Sequence, residues 1–192
     1  MEIVQPIRDP KKVIAIKKML RGQDNPRDYL LFVLGINTAL RISDLLKLNV
    51  GDVLDNQGEI TDTLYVRVQK TKKAMEVDLP PSAVEAIKHY FDVVRPTDHT
   101  APLFISDRTK ERMNRTQTWR LINRWCRDVG LTKSRYGNHT LRKSWGYMAR
   151  KYNNVDISVI RERLGHQSTT VTERYIGVTA DEVKKAVHLV NL

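Results

Sequence analysis

Two short segments with alternating apolar and polar residues interrupt a chain whose apolar residues otherwise recur at helical spacing. Apolar side chains occupy every second position in 64–68 and again in 75–79, and the polar residues 70–73 lie between these runs. A period of two is typical of half-buried strands, and two such runs joined by a short polar segment form a hairpin. The proline pair at 80–81 ends the second run, because proline cannot donate a hydrogen bond to a neighbouring strand. The sequence therefore predicts an α+β fold that is mainly helical, with one small antiparallel β-sheet.

Start and stop signals indicate where the helices lie. An Asp-Pro pair at 9–10 and an Asn-Pro pair at 25–26 each combine a capping side chain with proline at the first helical position. Ser43 is the predicted cap of a short helix that ends at position 48. Further helices are predicted over about 29–36, 82–94, 114–129, 140–151, 155–164, 169–175 and 181–189.

The length and composition suit one globular domain. The chain has 192 residues, of which 41% are hydrophobic, enough for a sizeable core. No apolar run approaches the length of a membrane span, and the first residues lack the apolar region of a signal peptide. We therefore expect a cytoplasmic protein with no membrane partner. Cys126 is the single cysteine, which excludes an intrachain disulfide and a thiolate zinc site.

Positive charge is concentrated in one quarter of the chain. The net charge is +11, and residues 105–152 contain 13 Lys and Arg residues against 3 Asp and Glu residues, an excess of ten. A charge run is often only a solvated surface. An excess of this size favours a polyanionic partner instead, because each neutralised phosphate releases counterions. The charge pattern predicts nucleic-acid binding.

Four short motifs carry side chains suited to chemistry: TALRISDLLKL at 38–48, QKTKK at 69–73, HTLR at 139–142 and LGHQSTTVTERY at 164–175. Each also has a purely structural interpretation. Arg41 is close enough in sequence to pair with Asp44, and Lys70 would be an ordinary solvated charge in a turn. Tyr175 lies at helical spacing from apolar neighbours, as a core residue would.

Taken together, the motifs resemble the conserved boxes of the tyrosine recombinases, also called the phage integrase family. The first box of that family reads like TGLRISELL, and this chain has TALRISDLL around Arg41. The second box is an H-x-x-R, which His139 and Arg142 match. The third box is LGH, then eight residues, then tyrosine, which His166 and Tyr175 match. The resemblance implies the tyrosine recombinase catalytic-domain fold.

The resemblance also implies a domain organisation. We expect residues 1–192 to form a single catalytic domain, with an N-terminal helix region at 1–24 and a tail helix at 180–192. Most members of the family carry a separate helical core-binding domain before the catalytic one. Because only 40 residues precede Arg41, no separate core-binding domain is expected. The family passes its C-terminal segment to a neighbouring subunit, so the tail is expected to pack either there or on its own domain.

Three residues of the family's site supply the nucleophile, exchange its proton and protonate the leaving oxygen. Tyr175 would be the nucleophile, and its hydroxyl, with an ordinary pKa of about 10, needs help at neutral pH. His139 is suited to exchange a proton with it. A lysine at the hairpin turn would be the general acid for the leaving 5′ oxygen. Lys70 fits that position best, and Lys72 and Lys73 are the alternatives.

The remaining candidates would hold the scissile phosphate. Arg41 and Arg142 can each present two donors to phosphate oxygens, which lysine cannot. His166 would donate a hydrogen bond to a non-bridging oxygen. With so many cations, the reaction is expected to need no metal and no other cofactor. It would also need no ATP, because the phosphotyrosine keeps the energy of the broken bond.

The combined prediction is a site-specific DNA recombinase or integrase that cleaves and rejoins double-stranded DNA through a 3′-phosphotyrosine intermediate. The resemblance implies a homotetramer on DNA and is compatible with a monomer in free solution. Two alternatives have different tests. A non-catalytic DNA-binding regulator of a full recombinase would form no covalent intermediate. A type IB topoisomerase-like enzyme would relax DNA without exchanging strands.

Overall fold

The computed structural model describes residues 4–67 and 74–177. In this part of the chain, helices dominate and two strands pair in an antiparallel hairpin. The helices are α1 (Pro10–Gly22), α2 (Pro26–Thr38), α3 (Ile42–Leu45), α4 (Pro81–Val94), α5 (Arg115–Asp128), α6 (Thr140–Asn153), α7 (Ile157–Leu164) and α8 (Thr169–Ile176), and the strands are β1 (Thr63–Arg67) and β2 (Ala74–Asp78). The predicted α+β fold, mainly helical with a small antiparallel sheet, is confirmed.

The first two helices begin at the predicted caps. A carboxylate oxygen of Asp9 accepts a hydrogen bond from the backbone N–H of Lys11 at 2.8 Å. The amide oxygen of Asn25 accepts one from the backbone N–H of Asp28 at 3.0 Å. In both helices a proline follows the cap, where its missing N–H removes no helical hydrogen bond.

The start of α3 corrects the prediction that Ser43 caps it. The helix begins at Ile42, so Ser43 lies inside it and Arg41 occupies the N-cap position with extended backbone. Ala39, just after α2, has a left-handed backbone with φ of 56°. This reversal turns the chain between the two helices and leaves Arg41 at their junction.

The end of α3 also differs from the prediction, because the helix stops at Leu45 rather than at position 48. A guanidinium nitrogen of Arg112, Nη1, donates to the carbonyl oxygens of Leu46 at 2.7 Å and Leu48 at 3.1 Å. These carbonyls are therefore bound by a distant side chain. A short-range pattern cannot reveal such a tertiary contact.

The hairpin buries the face of the sheet that the sequence alternation predicts. Thr63 pairs with Asp78, and Leu64 pairs with Val77. The second pair is fully buried, whereas Tyr65 on the opposite face is 74% exposed. The sheet therefore covers the core with one side only, as its alternation predicts.

Two groups of sequence-based predictions fall outside the described residues. One is the hairpin turn that contains Lys70 and its alternatives Lys72 and Lys73. The other is the C-terminal tail, with the predicted helix over 181–189. Both stay predictions.

The core has a larger and a smaller part. The larger part is built around α2, whose residues 30–34 are fully buried. The smaller part contains Ile160 of α7 and Ile176 of α8, and it seats α8 against α6 and α7. No helix within residues 4–67 and 74–177 is both long enough and apolar enough to cross a membrane.

Gly146 of α6 permits the close approach of α8. A Cβ atom at this position would lie 2.6 Å from the Cγ2 atom of Ile176, closer than carbon atoms tolerate. Ile176 directly follows Tyr175 in α8. The glycine therefore helps to set the distance between α6 and the helix that carries the tyrosine.

Candidate active site

The structure brings the described candidates of the sequence analysis together in one cleft. Arg142 is the central residue and is only 5% exposed. Its guanidinium donates to the carbonyl oxygens of Ala39 and Leu164, so it joins the end of α2 to the end of α7. It also interacts electrostatically with Tyr175. Burial, and then the charge of Arg41, lower the pKa of Arg142 to about 10, which leaves the guanidinium protonated at neutral pH.

Arg41 lies beside this group at the N-terminus of α3. It lines a small cleft with Ser43, Arg115, Asn138 and His139. Its positive charge also acts on Tyr175 and on Arg142. Cationic side chains therefore line one side of the cleft, where an anion can approach them from solvent.

His139 directly precedes α6 and faces the tyrosine. Its Nδ1 atom lies 3.2 Å from the hydroxyl oxygen of Tyr175. Burial lowers the pKa of His139, and the charges of Arg115 and Arg142 lower it further. A neutral imidazole is therefore favoured near neutral pH, and such a ring can accept a proton. This geometry agrees with the predicted proton exchange between the two side chains.

His166 lies between α7 and α8, with its ring centroid 4.8 Å from that of Tyr175. Its Nδ1 atom is 3.2 Å from the hydroxyl oxygen of Thr172. That hydroxyl donates its only proton to the carbonyl oxygen of Ser168 at 3.0 Å, so it can only accept from the histidine. A proton on Nδ1 of His166 satisfies both contacts. Donation to a phosphate through Nε2 would then use the doubly protonated ring.

Thr172 is thus expected to affect the reaction through His166. Thr172→Val keeps the shape of the side chain but removes the oxygen that holds the Nδ1 proton. We expect single-turnover cleavage to slow by about tenfold, because a hydrogen bond to a charged group contributes about 1.5 kcal/mol. Thr172→Ser restores the hydroxyl and should restore the rate. Equal rates for the valine and serine variants would contradict this role.

Tyr175 has features of both a core residue and a nucleophile, the two interpretations that its sequence context allows. Its ring packs against the smaller core cluster, while its hydroxyl contacts His139 and Arg142. Burial raises the pKa of Tyr175, and the charges of Arg142 and Arg41 oppose this rise. The hydroxyl therefore lies among the groups that a nucleophile needs, but it keeps its proton at neutral pH until a base removes it.

Sequence reasoning missed several residues around the site, namely Lys143, Thr172, Arg115 and Asn138. Lys143 and Thr172 lie within or directly beside the quoted motifs. Their positions were visible in the sequence, but their burial was not. Arg115 and Asn138 line the cleft with Arg41, and no short motif joins Arg115 to the other candidates. Lys70 lies outside the described residues.

Comparison with known proteins gives the family. The sequence model of the phage integrase family matches residues 9–182. The chain belongs to the phage integrase family. Among similar members, the "Probable integrase/recombinase YoeC" of Bacillus subtilis is 37% identical over 97% of this chain and 96% of its own length. The tyrosine recombinase XerA of Pyrococcus furiosus is 32% identical over 92% of this chain. This chain spans 60% of the length of XerA.

Solved structures of the phage integrase family share the fold. A crystal structure of XerA recombinase superposes with a TM-score of 0.75 at 21% identity, covering 98% of this chain and 64% of that one. XerH recombinase bound to its palindromic difH substrate, in a post-cleavage complex, superposes with a TM-score of 0.72 at 19% identity. The match covers 97% of this chain and 52% of XerH. The tyrosine recombinase catalytic-domain fold expected from the sequence is therefore confirmed.

Proposed function

We propose that this chain is a site-specific DNA recombinase that cuts and rejoins strands through a 3′-phosphotyrosine on Tyr175. One observation carries the proposal. The Tyr175 hydroxyl lies 3.2 Å from Nδ1 of His139 and under the influence of the Arg142 charge, in a chain of the phage integrase family. A nucleophile, a proton acceptor and a bidentate phosphate ligand thus meet at one point.

The cleavage step uses each group once. Arg41 and Arg142 bind the non-bridging oxygens of the scissile phosphate and stabilise the charge that develops on them. The Tyr175 oxygen attacks phosphorus and passes its proton to Nδ1 of His139. The bond from phosphorus to the 5′ oxygen breaks, and this oxygen takes a proton from the general acid, for which we propose Lys70. The products are a 3′-phosphotyrosine and a free 5′ hydroxyl.

Rejoining reverses the same step with another strand. A 5′ hydroxyl from the partner duplex attacks the phosphotyrosine and releases the Tyr175 hydroxyl. Exchange between two duplexes breaks four strands, and each break needs one tyrosine, so four copies of the chain have to act together. We therefore propose a homotetramer on double-stranded DNA.

The first turns of α5 form the proposed DNA surface beside the cleft. Arg115 and Asn138 line the cleft of Arg41 and also line a second cleft with Thr116 and Trp119. Trp119 is 49% exposed. A duplex whose phosphate occupies the site has neighbouring phosphates within reach of this surface, where the positive charge of the chain is concentrated.

Arg115→Gln is expected to weaken DNA binding without unfolding the protein, because this side chain is exposed. Loss of one phosphate contact should lower the affinity about fivefold at physiological salt and reduce the slope of log K against log salt by about 0.9. Fluorescence anisotropy over a salt series measures both quantities. Lys88→Gln, at an exposed position of α4, removes the same charge and should leave the slope unchanged. An unchanged slope for Arg115→Gln would contradict the proposed surface.

A strand-exchange assay tests the proposed function. Two duplexes that carry the DNA flanking the gene are incubated with the protein, and exchanged strands are separated on a denaturing gel. Exchanged strands that form without ATP or added metal are expected. Relaxation of supercoiled DNA without exchange would instead indicate a topoisomerase-like enzyme, and binding without cleavage would indicate a non-catalytic regulator.

A further inference from the structure

Lys143 is a buried cation beneath the tyrosine ring. It follows Arg142 in α6 and is only 5% exposed. Its Nζ atom lies 4.9 Å from the centroid of the Tyr175 ring. Lysine is rarely buried to this degree unless an anion compensates its charge. No carboxylate of the described ranges 4–67 and 74–177 forms an ion pair with it.

The fixed charges around this pair are positive. Arg142 of α6 and Arg41 before α3 act on the tyrosine through their charges. The neutral ring of His139, just before α6, contacts the tyrosine hydroxyl, and His166 lies against the tyrosine ring. Arg8, from the segment before α1, acts on Lys143. Burial and this arginine lower the pKa of Lys143. An anion formed on the tyrosine would therefore relieve the repulsion within the cluster.

The position of Nζ over the ring face favours the ionised tyrosine. A cation within about 6 Å of a ring centroid is attracted to the π electrons of the ring. The attraction grows when the hydroxyl loses its proton, because the negative charge of a phenolate spreads into the ring. Arg41 and Arg142 have to share their charge with a bound phosphate. Lys143 does not, because its burial keeps DNA away from it.

We propose that Lys143 is a positioning residue that stabilises the phenolate character of Tyr175 during attack on DNA. The inference rests on the proposed function of the site. As the bond from the tyrosine oxygen to phosphorus forms, the hydroxyl proton moves to Nδ1 of His139. The bond to the 5′ oxygen breaks, and that oxygen takes its proton from the general acid. Lys143 keeps its own proton throughout, and its charge lowers the energy of the anion it faces.

The first test is the pH dependence of single-turnover cleavage for Lys143→Met and Lys143→Arg. The methionine variant keeps an unbranched side chain one atom shorter and removes the charge. We expect it to cleave about tenfold more slowly at neutral pH and to approach the wild-type rate as pH rises, which corresponds to a shift of about one pH unit. The arginine variant should retain most of the rate. A loss that is the same at every pH would mean a structural role and would overturn the inference.

A modified substrate separates this role from that of a general acid. When sulfur replaces the leaving 5′ oxygen, the thiolate departs without a proton, since a thiol has a pKa of about 8.5. The Lys143→Met defect should persist with this substrate. If sulfur abolishes the defect, Lys143 is a proton donor and the inference is wrong. Lys88→Met, which removes an exposed charge from α4, should behave as wild type.

A titration without DNA keeps the inference testable if a variant cleaves or folds poorly. The phenolate absorbance of Tyr175 is the difference between the ultraviolet titrations of a protein and its Tyr175→Phe partner. We expect a higher midpoint in the Lys143→Met background, and in Lys143→Gln if the methionine variant does not fold. An unchanged midpoint overturns the inference. If the wild-type protein forms no adduct with DNA but Lys143→Met still raises the midpoint, the proposed function is contradicted, whereas stabilisation of the Tyr175 phenolate by Lys143 is supported.

Discussion

Tyr175→Phe is expected to abolish DNA cleavage and to leave folding and DNA binding nearly unchanged. The variant loses the proposed nucleophile but keeps the ring that packs against the smaller core cluster. It also loses the hydroxyl contacts with His139 and Arg142, which contribute about 1–1.5 kcal/mol each because the hydroxyl is solvated in the unfolded chain. Single-turnover cleavage, thermal melting and anisotropy measure the three properties.

Tyr152→Phe is the matched control for this change. Tyr152 lies near the C-terminus of α6, and its hydroxyl donates to the carbonyl oxygen of Arg8 at 3.2 Å. The control therefore also loses one hydrogen-bonded phenolic oxygen, but outside the cleft. It should cleave at the wild-type rate. Cleavage by Tyr175→Phe at the rate of this control would show that another group attacks the phosphate.

Arg142→Lys is expected to slow cleavage by at least about 100-fold, the scale of losing one donor to the transition state. The guanidinium holds two carbonyl oxygens, those of Ala39 and Leu164, and also contacts Tyr175. A lysine side chain carries the same charge, but all of its donors lie on one ammonium nitrogen. It cannot serve both carbonyls and still bind a phosphate in two places.

The same substitution should also lower stability by about 1–3 kcal/mol, because a buried carbonyl is left without its donor. Single-turnover cleavage at saturating DNA, below the melting temperature of the variant, separates the two effects. Arg95→Lys, at an exposed position after α4, should change neither quantity. A near-normal cleavage rate for Arg142→Lys would contradict the role of the guanidinium.

Local chemistry explains which parts of the fold the sequence predicts. The Asp-Pro and Asn-Pro pairs specify helix starts because the cap and the proline act within one turn. The alternation in β1 and β2 specifies one buried face. The end of α3 lies beside Arg112, which is distant in sequence and binds the carbonyls of Leu46 and Leu48. Ser43 has the residue type of a cap, but the helix begins one residue earlier, at Ile42.

The candidate site likewise has residues that the sequence predicts and one whose position only the fold reveals. The resemblance to the family's boxes predicts that Arg41, His139, Arg142 and Tyr175 share a site, and the fold brings them together. The catalytic roles of these residues stay predictions. Lys143 is different, because the sequence counts it as one more charge of a basic surface. Only the packing of α8 on α6 reveals that its ammonium lies under the tyrosine ring.

The central claim is a covalent bond between Tyr175 and a DNA 3′ phosphate, and trapping this bond tests it most directly. In a duplex nicked near the cleavage point, the short strand beyond the break diffuses away and the intermediate cannot be rejoined. Protease digestion and mass spectrometry then locate the attached nucleotide. We predict a phosphodiester on the peptide that contains Tyr175, formed without ATP or metal. An adduct on any other residue, or DNA cleavage without an adduct, would contradict the account.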